Sequence, residues 1–229
     1  MPAPAETVLR IRAVLPHGDG APALVETGSG ERFVLKLRGA GGGERALATE
    51  FLALKLAALI GLRTPATIPL YLPEAFPWQA GTDEFDDMVQ RSYGWNLGIR
   101  FIEEATPLRA AMLDSLAPDF CAVLAIADAL LINVDRSRAN PNLVRDRSGA
   151  VWAIDFGACL FLSRLLAGPI ARPAALPANH FLAHRFTDFR PSLALDEAMV
   201  TAFVDAVPQS WLDEGVRAML AQRLTVYLA

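Results

Sequence analysis

The stretch that most constrains this 229-residue chain runs from Asn133 to Gly157, where three side chains able to hold a cation or a proton stand at fixed intervals. Asp135 is followed five residues later by Asn140, and Asp155 comes fifteen residues after that. Between Asn140 and Asp155, two short apolar runs, Leu143 to Arg145 and Ala150 to Ile154, flank the turn residues Arg147-Ser148-Gly149. Two such runs around a glycine-containing turn read as a β-hairpin. A hairpin here folds Asp155 back beside the loop that carries Asp135 and Asn140. Singly, each piece is ordinary turn chemistry, with Asp-Arg-Ser and Asn-Pro-Asn as loop signals and Asp155-Phe156-Gly157 as a strand end. Together with the hairpin they argue for one site.

The chemistry that uses an Asp, an Asn and a second Asp in this order is phosphoryl transfer. Asp135 is the residue to receive or orient the proton of an acceptor hydroxyl. Asn140 and Asp155 supply oxygen ligands to a hard cation such as Mg²⁺, which completes its shell with water and substrate phosphates. Asn133 and Arg136 flank Asp135 and belong to the same catalytic loop.

The N-terminal half supplies the remaining parts of such a site. Val8 to Leu15 and Ala23 to Val25 alternate in strand fashion around Pro16-His17-Gly18-Asp19-Gly20, and Arg32 to Leu37 is a third strand. Gly18 and Gly20 are placed as a lid over nucleotide phosphates, and Lys36 as the lysine that reaches them; the plain alternatives are a hairpin turn and an edge-strand charge. Gly39 to Gly43 is a loop whose bare amides suit an anion. Ala46 to Ile60 reads as a helix that stops at Gly61, with Glu50 positioned to pair with Lys36. The sequence further predicts a strand from Thr64 to Leu72, a loop from Pro73 to Asp87 and a strand from Leu97 to Ile102. By position the hinge then falls at Phe101 to Glu103, where backbone groups of residues from Phe101 to Glu103 face an adenine ring. Helices are expected at Pro107 to Leu113, Pro118 to Leu131, about Ala194 to Ala206 and Trp211 to Leu228.

Composition excludes several other classes. A net charge of −4 from 21 basic and 25 acidic residues, without a dense Lys/Arg cluster, gives no footprint for nucleic acid or an anionic membrane. The longest apolar run, Phe120 to Val134, contains Asp128 and Asn133 and is shorter than the roughly 18 residues of a membrane span. Met-Pro-Ala-Pro-Ala-Glu at the start lacks the features of a secretory signal, so a cytoplasmic protein is expected. Cys121 and Cys159 read as buried free thiols. His180 and His184 are four residues apart, but no third ligand accompanies them, so they read as surface or packing histidines.

Phe33 to Gly39, the helix bearing Glu50, Gly94 to Phe101, the Asn133–Leu143 loop and Ile154-Asp155-Phe156-Gly157 together resemble the HipA-like kinases, in particular the short bacterial branch without a separate N-terminal module. The resemblance covers about Val8 to the C-terminus. It implies an α+β, bilobal kinase-like fold in one domain over residues 1–229. A small antiparallel β lobe with one helix spans about 6–102, and a mainly helical lobe about 103–229. It also implies ATP with Mg²⁺ and transfer to a protein Ser or Thr hydroxyl, autophosphorylation included. The loop is similar as well to the Asp-Arg-His of phosphatidylinositol kinases, but Ser137 stands where that pattern has His. Arg136 or Arg138 is the expected substitute for its contact to the phosphate. The remaining readings are a small-molecule or lipid kinase, a nucleotide-binding pseudokinase acting as an interaction module, and transfer of AMP.

Overall fold

The computed structural model describes residues 6–15, 20–74, 82–173, 175–187 and 195–228; Gly18 therefore lies outside the described residues. Strands β1 (Val8–Val14), β2 (Ala23–Thr27) and β3 (Arg32–Lys36) lead into helix α1 (Gly43–Leu59). Then follow β4 (Thr67–Leu72), helix α2 (Asp83–Gln90) and β5 (Gly94–Arg100). The five strands form one antiparallel sheet in the order β1-β2-β3-β5-β4. Side chains alternate across it. Phe33 and Leu35 enter a core with Phe85, Met88 and Val89 of α2, whereas Val34 and Lys36 lie on the opposite face. That alternation explains a lysine in an apolar strand, because its side chain leaves the core that its neighbours build.

Helix α1 is buried on nearly every side, with Leu47 to Leu54 unbroken in their burial. One of its faces meets β4 and β5, and others meet the helices that follow in the chain. Its apolar residues form one continuous core with those later helices, so the helix that carries Glu50 is anchored in the C-terminal half.

The second half begins with β6 (Thr106–Pro107) and a 3₁₀ turn (Ala110–Ser115), followed by α3 (Pro118–Leu131). Strands β7 (Leu143–Arg145) and β8 (Val151–Ala153) form the expected hairpin, and β6 joins them in a three-stranded sheet. Helices α4 (Phe161–Ala167), α5 (Glu197–Asp205) and α6 (Glu214–Leu228) complete the chain. Among the described residues, no helix is long and apolar enough to cross a membrane.

Three expectations are corrected, and one element was not forecast. The acidic residues placed in a loop between Pro73 and Asp87 instead open helix α2: the Thr82 hydroxyl accepts from Phe85 N at 3.3 Å, and Asp83, Glu84 and Asp86 occupy the first turn. There they complement the helix dipole. The helix expected at Pro107 to Leu113 is a short strand and a 3₁₀ turn, because Thr106 and Pro107 pair with Arg145 and Val144. Strand β5 starts earlier and ends sooner than expected; Phe101 N donates to Arg32 O as its last ladder bond. Helix α4, directly after the Asp-Phe-Gly turn, had no forecast in the sequence.

Phe51 ties α1 to the C-terminal segment, meeting Trp211 edge-to-face at 5.9 Å between ring centroids. Phe51 is 1% exposed. Phe51→Ala should lower stability by about 3–5 kcal/mol, the usual cost of emptying a buried aromatic site. Denaturant titration against the wild type checks this; a loss below about 1 kcal/mol contradicts the packing described.

Candidate active site

The polar centre of the molecule is Lys36. Its Nζ lies 2.8 Å from Glu50 Oε2 and 2.9 Å from Asp155 Oδ1, so strand β3, helix α1 and the end of the hairpin meet at one ammonium. The Glu50 side chain is 3% exposed, that of Lys36 23% and that of Asp155 40%, so the cluster grades from core to cleft. Burial works against the Lys36 charge, but the carboxylates of Glu50 and Asp155 outweigh it and hold its pKa above the ordinary lysine value. For Glu50, burial dominates and pushes the carboxyl up, against the pull of Lys36.

These residues line a cavity of about 510 Å³ that also includes Gly20, the Ala40–Gly43 loop, Asp135 and Gly157. Gly20 has φ +84°, and a Cβ there would come within 2.6 Å of the Ala40 side chain, so position 20 requires glycine on both counts. A second cavity of about 230 Å³ shares Lys36, Glu50 and Asp155 with the first. Its other walls are apolar: Leu15, Val34, Ile99, Phe101, Ile102 and Ile154. A polar chamber joined to an apolar one suits an elongated ligand with a charged end and a flat apolar end.

At the hinge, Phe101 lines the apolar cavity as expected. The Glu103 side chain does not: it pairs with Arg32 at 2.5 Å and lines a separate outer groove, so Ile102 and Ala105 occupy the inner wall in its place.

The Asp135 loop is held by its own amides. Asn140 Nδ2 donates to Asp135 Oδ2 at 2.9 Å, and Asn142 Nδ2 donates to the same oxygen at 3.3 Å. Asn140 is exposed and its backbone is engaged with Ser137. Asn142 is half-buried and stands at the base of the hairpin, where its carbonyl accepts from Ile154 N at 2.9 Å, one residue before Asp155. Asn142 and Asp155 both adopt left-handed backbone, with φ +48° and +57°, as does Ile132 at the end of α3, with φ +54°. Asn and Asp tolerate this region better than other non-glycine residues, whereas the β-branched Ile132 is a true outlier. Such strain gathers at functional sites.

Asn133 and Arg136 stand behind the loop and not in the cleft. Both are fully buried. Asn133 Nδ2 donates to Asp128 Oδ1 at 2.9 Å while its Oδ1 accepts from Asp135 N at 3.2 Å. The Arg136 Nε contacts Asp128 Oδ2 at 2.5 Å, its Nη1 donates to the carbonyls of Pro141 and Asn142, and its guanidinium lies 4.8 Å above the Phe156 ring. A direct contact from Arg136 to a phosphate is therefore corrected: the side chain is spent on the fold. Arg138 is spent too, on Asp114 and Ala110 O. In this structure both guanidinium groups beside Ser137 are engaged with partners of the fold.

Sequence reasoning missed Asp128, His180 and Asn142. Asp128 and His180 sit in apolar surroundings, and their partners are remote in sequence. His180 Nε2 lies 2.9 Å from Asp128 Oδ2. Burial opposes the Asp128 charge, but Arg136, His180 and Asn133 outweigh it and hold the carboxyl below its usual range. Asn142 was legible in principle, as the residue immediately before the first hairpin strand.

No protein-family model and no curated protein matches the chain. Among solved structures it is similar to one described as a Helicobacter pylori proinflammatory kinase, CtkA, with a TM-score of 0.56 and 13% identity over 94% of this chain and 91% of that one. That likeness, with the antiparallel sheet, α1 and the helical C-terminal half, makes the fold α+β, bilobal and kinase-like.

Proposed function

We propose that this chain is an ATP- and Mg²⁺-dependent phosphotransferase, a HipA-like kinase acting on a protein Ser or Thr hydroxyl, its own included. The observation that carries the reading is the Lys36 ammonium between Glu50 and Asp155, in a cleft that also holds Asp135. The solved structure of like fold is itself described as a kinase, which supports the choice.

The residues present suit a magnesium ion. Asp155 gives one carboxylate oxygen to Lys36 and has a second for a cation, and the amides of Asn140 and Asn142 stand at Asp135 on the same loop. Among the described residues no group of three or more His, Cys, Asp or Glu could hold a metal alone. A magnesium ion that arrives with phosphates needs only one or two protein ligands. Bound magnesium would neutralise phosphate charge. In our reading Asp155 keeps its metal role. The amide role passes from Asn140 to Asn142, because Asn142 adjoins the hairpin end that presents Asp155, while Asn140 is the closer donor to Asp135.

The chain's own residues then divide the work. Lys36 contacts the phosphates, with Glu50 holding it in place. Gly20 and the Ala40–Gly43 loop let backbone approach the phosphates, and Phe101 and Ile102 wall the base. Asp135, its Oδ2 engaged by two amides, orients the acceptor hydroxyl and takes its proton as the oxygen attacks the γ-phosphorus and the bond to the β-phosphate oxygen breaks.

A nucleotide-binding pseudokinase is the second reading, favoured by one observation: both arginines beside Ser137 are committed elsewhere. Incubation with Mg²⁺ and ATP labelled at the γ or the α position separates the cases. Label from γ appearing on protein supports the kinase, label from α supports AMP transfer, and binding without transfer supports the pseudokinase.

Asp135→Ala should reduce transfer by about 10²- to 10⁴-fold, the usual worth of positioned proton transfer, while Mg·ATP affinity stays within about threefold. Retention of full transfer would show Asp135 to be a turn residue only. In calorimetric titrations with and without Mg²⁺, Asp155→Asn and Asn142→Gly should each lose at least about tenfold of the metal-dependent gain in ATP affinity, by analogy with the cost of disturbing groups behind a metal. Glycine at 142 accepts the left-handed backbone, so the loss reports the amide. Asn140→Ala should keep most of the gain; the reverse pattern returns the metal role to Asn140.

A further inference from the structure

Downstream of the Asp-Phe-Gly turn, the chain comes back to the Asp135 loop and grips it on both sides. The Asn179 amide donates to Val134 O at 2.9 Å, and Phe181 N donates to Arg136 O at 3.3 Å. The carbonyls immediately before and after Asp135 are thus both held by one short segment. Between the two gripping residues lies His180, 3% exposed. Its Nδ1 accepts from Leu182 N at 3.0 Å, which leaves the ring proton on Nε2, where it donates to Asp128 Oδ2 at 2.9 Å. Asp128 in turn accepts from Asn133, and Asn133 accepts from the backbone N–H of Asp135. One route of hydrogen bonds ends on the carbonyls on either side of Asp135, and the other, through buried side chains, ends on its own N–H.

We propose that Asn179 to Leu182 form a clamp that sets the position of Asp135, with His180 as a positioning residue for phosphoryl transfer; this rests on the kinase reading above. An apolar side chain could fill the His180 site without placing another polar group beside a buried carboxylate, which has to be matched to avoid a desolvation cost. What the polar choice adds is direction. Two members of the cluster carry bonds on to the loop: Asn133 accepts from Asp135 N, and Arg136 Nη1 donates to the carbonyls of Pro141 and Asn142. Transfer depends on in-line geometry, and a displacement of about 1 Å costs about a hundredfold in rate. A loop that carries left-handed Ile132 and Asn142 at its two ends needs such external support.

The test uses His180→Phe, which keeps ring volume and the stacking on Phe181 but removes both nitrogens, and Asn179→Ala, an exposed position where loss of folding is not expected. His180→Gln keeps an N–H near the Nε2 position and serves as the rescue. Two quantities are read in the full chain: amide hydrogen exchange of the peptide covering 133–142, and single-turnover transfer from γ-labelled ATP to the chain and to a generic protein acceptor. In His180→Phe and Asn179→Ala, loop exchange should rise at least about tenfold and transfer should fall about 10- to 100-fold, with Mg·ATP affinity within about twofold. His180→Gln should recover most of the transfer. A merely structural histidine would lower global stability without this split between transfer and nucleotide affinity. Unchanged loop exchange in both variants overturns the clamp, and so does raised exchange with undiminished transfer. A wild type that binds Mg·ATP yet transfers nothing overturns the kinase reading and the positioning role of His180 in transfer together, while the exchange measurement separately decides whether the segment holds the loop.

Discussion

The Lys36 ammonium, set between the carboxylates of Glu50 and Asp155, ties together three parts of the chain that are far apart in sequence. A charge this deeply placed is tolerated only if its partners arrive with good geometry, since removing one leaves the others buried and unmatched. That requirement reaches well beyond the site. Strand β3 must turn its even-numbered face toward the cleft, α1 must pack with Glu50 toward β3, and the β7–β8 hairpin must end where Asp155 can reach. The two carboxylates carry formal charge in excess of the single lysine, which suits a place where a cation is brought in by its ligand.

Helix α1 meets this demand by being buried on nearly all sides. Its contacts with β4 and β5 hold it to the sheet, and those with α3, α4 and α5 hold it to the helical half. The Phe51–Trp211 contact lies one residue from Glu50. In a kinase-like fold the helix at this position is often the element that swings. Here it is packed from both lobes, so displacing it disrupts a continuous core.

Behind the cleft, a second buried charge cluster performs a different task. Asp128, Arg136, His180 and Asn133 line neither of the two cleft cavities, yet their bonds terminate on the backbone of the Asp135 loop and over the Phe156 ring. The cleft residues gather charge around Lys36; this cluster supplies shape to the loop that presents Asp135. Arg136 belongs to that cluster, while Arg138 pairs with Asp114 at the surface.

Sequence alone determined what depends on short windows. The hairpin between Asn142 and Asp155 follows from turn chemistry, helix α3 from its apolar run begun by Pro118, and the alternation that frees Lys36 from strand periodicity. Lys36, Glu50, Asp135 and Asp155 could be picked out because each stands at a distinctive point of such an element. Tertiary structure decided what depends on meetings between remote segments. Asp83 to Asp87 looked like loop residues until Thr82 capped them and Phe85, Met88 and Val89 found the outer face of the sheet. Glu103 looked like a hinge residue until Arg32 drew it outward, and Asn133 and Arg136 looked catalytic until Asp128 drew them inward. His180 read only as a surface or packing histidine, and its buried pairing with Asp128 had no local signal. The reason is common to these cases: period and turn preference are written within a few residues, whereas the direction a polar side chain takes is set by whichever opposite charge or free backbone group the fold brings beside it.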